Sequence, residues 1–105
     1  MNKNKYEMIF CIVNAGFAIE AMEAAKKAGA KGGTILRARG TANPESEEFY
    51  GISIQPDKEI LWIIVPSEIK DDVMHKLYQD AGLASESKGI AFSLPVSHAI
   101  GLHED

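Results

Sequence analysis

The order of hydrophobic periods along this chain predicts an α+β fold. It is a split βαβ sandwich (βαββαβ), in which one antiparallel sheet carries two helices on a single face. Three observations carry that expectation. Residues 6–13 and 34–39 read as strands, with a helix of alternating alanine and charge between them. A second set follows: strand-like runs at 49–54 and 59–65, a helix from Ser67, and a last strand at 89–96. These elements fill the 105 residues as one domain, 1–105, with no internal linker and no low-complexity segment. Two right-handed crossovers would place both helices on the same side of the sheet. The other sheet face is then bare and apolar, which predicts burial by another copy of the chain and sites between subunits.

The first strand contains Ile9, Phe10, Cys11, Ile12 and Val13 without a polar interruption. Such a run suits a central strand covered on both faces, by helices on one side and a partner on the other. Asn14 follows as a candidate N-cap for the first helix. Ala18, Met22, Ala25 and Ala28 stand at helical spacing in that helix, and Gly29 stops it. The second helix opens after Pro66, with Ser67 as N-cap and Glu68, Asp71 and Asp72 in its positive first turn. Ile69, Val73, Leu77 and Tyr78 form its buried stripe, and Gly82 ends it. The stretch 40–48 is polar and acidic without apolar anchors, so it is expected to be mobile until something binds. Residues 1–5 carry no pattern and read as a loose end.

Bulk properties exclude several classes. A hydrophobic fraction of 46% with 25% charged residues is ordinary for a soluble globular domain. A net charge of -4 gives no footprint for nucleic acid, which calls for clustered Lys and Arg. The longest apolar run, 8–13, is too short to span a bilayer. One cysteine precludes an internal disulfide and fits a cytoplasmic location.

The richest chemical segment runs from Gly32 to Thr41. Its glycines allow close backbone approach to a ligand. Arg37 and Arg39 alternate with Leu36 and Ala38, so both guanidinium groups emerge on one strand face. Two readings are open: the arginines grip a phosphate or carboxylate, or they pair with the many nearby acidic residues. Lys88 and the amide of Gly89 form a second candidate anion contact, equally readable as a strand-opening turn. Glu45, Glu47 and Glu48 read as a solvated run. Cys11 should behave as a small buried hydrophobe, and Trp62 as a packing residue at a subunit interface. No metal site is expected, because His75, His98 and His103 lack helical i,i+4 partners. No nucleophile motif stands out, so no catalytic residue is assigned.

Thr-Ile-Leu-Arg-Ala-Arg-Gly at 34–40, Ile-Ile-Val-Pro-Ser-Glu at 63–68 and Gly-Ile-Ala-Phe-Ser-Leu-Pro-Val at 89–96 lie on this element order. Together they resemble the P-II nitrogen-regulatory signalling proteins over nearly the whole chain, 6–102. The resemblance implies a homotrimer of ferredoxin-like domains, sheets inward, with a small-molecule effector in each inter-subunit cleft. No cofactor is called for; the effector would be an adenine nucleotide, ATP, ADP or AMP. Gly32 and Thr34 would border the adenine, Val65 would offer backbone, and Lys88 and Gly89 would form the phosphate-side turn. Gly40 would mark the base of a regulatory loop, 40–54, that binds and regulates a partner protein such as a membrane transporter.

This chain departs from the family pattern at three cations. Ile90 stands where a lysine follows the second glycine of the phosphate turn, and Gly101 and His103 stand where the family has arginines. Each lost charge-assisted hydrogen bond is worth about 1.5–3 kcal/mol. A smaller or less charged ligand is therefore open. Two other classes compete with the sensor reading. One is a small cofactor-free enzyme using His75 and Tyr78 beneath the sheet, and the other a metal-responsive trimer using His98 and His103.

Overall fold

The structure, a computed structural model, describes residues 5–41, 57–81 and 89–102. Among these residues four strands and two helices follow one another as β1 (Tyr6–Asn14), α1 (Ala18–Lys27), β2 (Thr34–Arg39), β3 (Asp57–Pro66), α2 (Lys70–Asp80) and β4 (Ile90–Val96). The sheet order is β2-β3-β1-β4, and every neighbouring pair is antiparallel. This is the expected ferredoxin-like α+β sandwich. The strand expected at 49–54, and all of the 40–54 loop beyond Thr41, lie outside the described residues.

β1 is central, as its apolar run implied, and its burial alternates strictly. Ile9, Cys11 and Val13 are fully buried beside Leu61, Ile63 and Val65 of β3. Both helices cover this side, supplying Ala18, Ala21, Ala24 and Ala25 from α1 and Val73 and Leu77 from α2 to a single core. Alanines let α1 lie close to the sheet. Gly33 extends that closeness: a Cβ there would stand 3.0 Å from the Trp62 carbonyl oxygen and 3.1 Å from Met22 Sδ. Its role is packing rather than ligand approach.

Helix ends correct several local expectations. The Asn14 side chain does not cap α1, because its Oδ1 accepts from Lys58 Nζ. Glu59 of β3 caps the helix instead, its Oε1 accepting from the N–H groups of Gly16 (3.0 Å) and Ala18 (3.1 Å). Gly29 does stop α1, at φ 111°. Its N–H donates to Lys26 O and that of Ala30 to Ala25 O, the paired bonds of a Schellman ending. Ser67 does not stand at the N-cap position: Ser67–Ile69 form a 3-10 turn after Pro66, and α2 begins at Lys70 after Ile69. Tyr78 leaves the buried stripe and is 58% exposed, since Val73, Leu77 and Ala81 fill the face toward α1 and the sheet.

The opposite sheet face carries Met8, Phe10 and Ile12 of β1, Ile60, Trp62 and Ile64 of β3, and Ile90, Phe92 and Leu94 of β4. The Phe10 ring stacks between Trp62 and Phe92, with centroids 5.2 Å away on either side. Trp62 Nε1–H points to Met8 Sδ. No element among the described residues covers this face, and Trp62, Ile64, Phe92 and Leu94 remain 38–45% exposed.

Candidate functional site

Two ends of the sheet hold the chemistry. At the end where β3 begins, residues 57–59 are fastened to the start of α1. The Ala15 N–H donates to Asp57 O at 3.0 Å, beside the Lys58–Asn14 and Glu59–Gly16 bonds already described. Arg37 lies directly across from Glu59 in the β2–β3 register, and Arg39 across from Asp57. Both arginines thus share a strand face, as their alternation required, with an acidic residue opposite each. Both are exposed, and Gly40 follows immediately. Gly89 reaches the same end, because Ile90 after it pairs with Ile12. Lys88 lies outside the described residues.

At the other end a cleft of about 620 Å³ opens where β1 starts and β3 finishes. Lys5 and Tyr6 form one wall, residues 29–32 between α1 and β2 another, and Ile64, Pro66, Ser67 and Glu68 the floor and rim. Leu102 of the C-terminal segment closes the side, after a turn at Gly101 with φ 91°. Of the residues singled out in the sequence, Gly32 lines this cleft. Thr34 opens β2 opposite Trp62, and Val65 is wholly buried between cleft-lining Ile64 and Pro66.

One subunit therefore separates the candidates into two groups. Gly32 and the backbone around Val65 belong to the cleft; Arg37, Arg39, Gly40 and Gly89 gather at the opposite end. Thr34 to Arg39 alone spans roughly 17 Å at the usual rise per strand residue.

Lys5, Tyr6, Lys31 and Leu102 are not singled out by the sequence, and Ser67 and Glu68 are read there only as the opening of the second helix. Lys5 is not a loose end: its carbonyl accepts from the Ser67 N–H at 2.8 Å, tying the start of β1 to the turn before α2. A lysine beside two glycines at 31–33, between a helix and a strand, is the one signal that pointed here.

The enzyme reading finds less support in the geometry. His75 and Tyr78 are both exposed on α2 rather than turned beneath the sheet. Among the described residues no three His, Cys, Asp or Glu side chains converge on a metal position, and His103 of the metal reading lies outside those residues. Burial pushes the Cys11 thiol up to about 11, so it stays protonated and inert at neutral pH. No described helix is long and apolar enough to cross a membrane.

Comparison with solved structures places the architecture. The chain superposes on a Thermus thermophilus protein described as a putative PII-like signalling protein, with a TM-score of 0.65 and 21% identity. The match covers 91% of this chain and 90% of that one. It also superposes on Arabidopsis thaliana PII bound to citrate, with a TM-score of 0.69 and 22% identity, covering 95% and 82% respectively. No family model and no curated protein matches the sequence. The chain has the fold of the PII and PII-like signalling proteins, over nearly its whole length.

Proposed function

We propose that this chain is a PII-like signalling protein, a non-enzymatic cytoplasmic sensor that binds a small-molecule effector and regulates a partner protein. The observation that carries this reading is the PII fold combined with an apolar, aromatic sheet face that nothing among the described residues covers. Three copies with their sheets inward would bury that face. Assembly also answers the separation of the candidate residues: a cleft between copies can join the Gly32, Thr34 and Val65 end of one subunit to the Arg37, Arg39, Gly40, Lys88 and Gly89 end of its neighbour. An effector there biases the arrangement of the 40–54 loop, and a bias of about 1–3 kcal/mol changes partner affinity by the corresponding factor. A membrane transporter is one partner class such a loop would serve.

The citrate bound to Arabidopsis PII supports a small carboxylate as one class of effector. The effector panel accordingly includes ATP, ADP and AMP alongside citrate, 2-oxoglutarate and bicarbonate. Thermal melts of the purified chain test the reading. A ligand at one hundred times its dissociation constant adds about 2.7 kcal/mol, well within the reach of a melt. An anionic effector should raise the melting temperature, and Arg39→Ala should remove that rise while leaving the unliganded melt in place. Absence of a shift across the panel, or an unchanged shift in the Arg39 variant, overturns the effector assignment.

A further inference from the structure

We infer that the outer edge of β2 is a docking site for an extended acidic segment of a partner protein, which adds to the sheet as a further strand beside Arg37 and Arg39. The inference deepens the sensor reading by giving the regulated partner its chemistry. It rests on that reading only for the binding being regulatory.

β2 lies at one edge of the sheet, with β3 as its one neighbour. Along an antiparallel strand every second residue turns its N–H and C=O away from the strand it pairs with. Among the described residues no backbone group takes those of β2. Proteins commonly blunt such an edge with a proline or a bulge. The opposite edge, β4, carries Pro95. β2 has neither device, and its register with β3 runs unbroken from Thr34 to Arg39. The helices pack chiefly on β1, β3 and β4, so Ile35 and Leu36, on opposite faces of β2, stay 38% and 39% exposed. An edge that is open along both faces has room for an extended segment to pair with it.

Register fixes what that segment must carry. Ile35, Arg37 and Arg39 stand across from Leu61, Glu59 and Asp57, so they share the helix-side face of the sheet. Among the described residues neither arginine makes an ion pair or a side-chain hydrogen bond. Glu59, the acid directly across from Arg37, is held by the Gly16 and Ala18 N–H groups instead. Both guanidinium groups are therefore open to carboxylates on the far side of β2, where directly opposite Cβ atoms stand about 4.5–5.5 Å away. An antiparallel segment with two acidic residues and then an apolar one, each two apart, meets Arg39, Arg37 and Ile35 in turn. A second copy of the chain is a poor match. Its β2 repeats the arginines, and its β4 has a proline and no acidic residue. The effector reading uses the same two arginines, so an anionic effector and the partner strand compete for them.

The test titrates the intact chain, labelled with nitrogen-15, with the capped peptide Thr-Glu-Thr-Glu-Thr-Val-Thr. The amide resonances of β2 should move, and alternate ones should exchange more slowly with solvent as ladder bonds form. The same peptide with lysines in place of the glutamates should bind at least about tenfold more weakly, as should the glutamate peptide to a chain carrying Arg37→Gln and Arg39→Gln. Both arginines are exposed, so the double variant keeps its fold. Two further peptides separate strand addition from capture by charge alone, one N-methylated at the glutamates and the other at the threonines between them. A strand turns only one of these sets of N–H groups toward β2, so one peptide should lose binding and the other keep it. Any other pattern overturns the inference. So do a lysine peptide that binds equally well, binding indifferent to the arginines, and β2 amides that stay unmoved. Resonances of β2 that shift with protein concentration, and not with peptide, assign the edge to a second copy and overturn it too. An effector shift in the melt without peptide binding keeps the sensor reading and sinks this inference, and peptide binding without any effector shift does the reverse.

Discussion

Glu59 holds the first turn of α1 from forty residues away in sequence, one carboxylate oxygen accepting two backbone N–H groups at 3.0 and 3.1 Å. A helix start leaves its first N–H groups without partners, and an anion placed there gains from both hydrogen bonding and the helix dipole. Asn14 has the right chemistry and the right local position, yet its side-chain oxygen is engaged by Lys58. Local sequence therefore shows where a cap is needed, while the residue that serves is set by strand register, which pairs Val13 with Glu59. Glu59→Ala should lower the unfolding free energy by about 1–2 kcal/mol, as for loss of a good helix cap. Asn14→Ala should lower it by less, on the order of 0.5 kcal/mol, since it ends a polar contact at the surface. Urea denaturation of the two variants decides the point, and a larger loss for Asn14→Ala would remove Glu59 from this role.

α1 shows what an alanine-rich helix hides from sequence reading. A stripe at Ala18, Met22, Ala25 and Ala28 has the right period, but the residues fully buried are Ala18, Ala21, Ala24 and Ala25. Alanine occurs on more than one face of this helix, so the pattern fixes the element without fixing its rotation. The strands are clearer, because large residues alternate with period two and the face follows from the parity of each position. Tyr78 departs from its expected stripe for a related reason: it neighbours Leu77, and a one-residue step moves a side chain about 100° around a helix. Ala21, like Ala18 and Ala25, has none of its surface exposed. Ala21→Leu should cost about 1–3 kcal/mol through overpacking. Ile19→Ala, at a position 61% exposed, should cost much less. Thermal denaturation by circular dichroism compares them, and a tolerated leucine would mean that α1 stands farther from the sheet than its alanines imply.

At the scale of the whole molecule, the architecture was legible and the cleft was not. The period changes gave the type and succession of the elements because each depends on residues close in sequence, and the bare face follows from that succession. The cleft draws on residues 5–6, 29–32, 64, 66–68 and 102, five stretches brought together only by the fold. Lysines in such stretches are indistinguishable from solvated surface charge until the walls around them are seen. The bare face makes the sharpest demand on the molecule. Stacked Phe10, Trp62 and Phe92 with Ile64 and Leu94 form a contiguous apolar surface, which a monomer would leave in water. Light scattering should accordingly give the purified chain a mass three times the 11.4 kDa of one copy. Phe92→Glu places a charge in the ladder where the ring is already 40% exposed, so a lone subunit can hydrate it and keep its fold. An assembly must bury it unpaired, at a cost of several kcal/mol per copy. The variant should therefore scatter as a single chain with an unchanged helical spectrum. A wild-type chain that is already monomeric, or a Phe92→Glu chain that still assembles in threes, would mean that this face is not where copies meet.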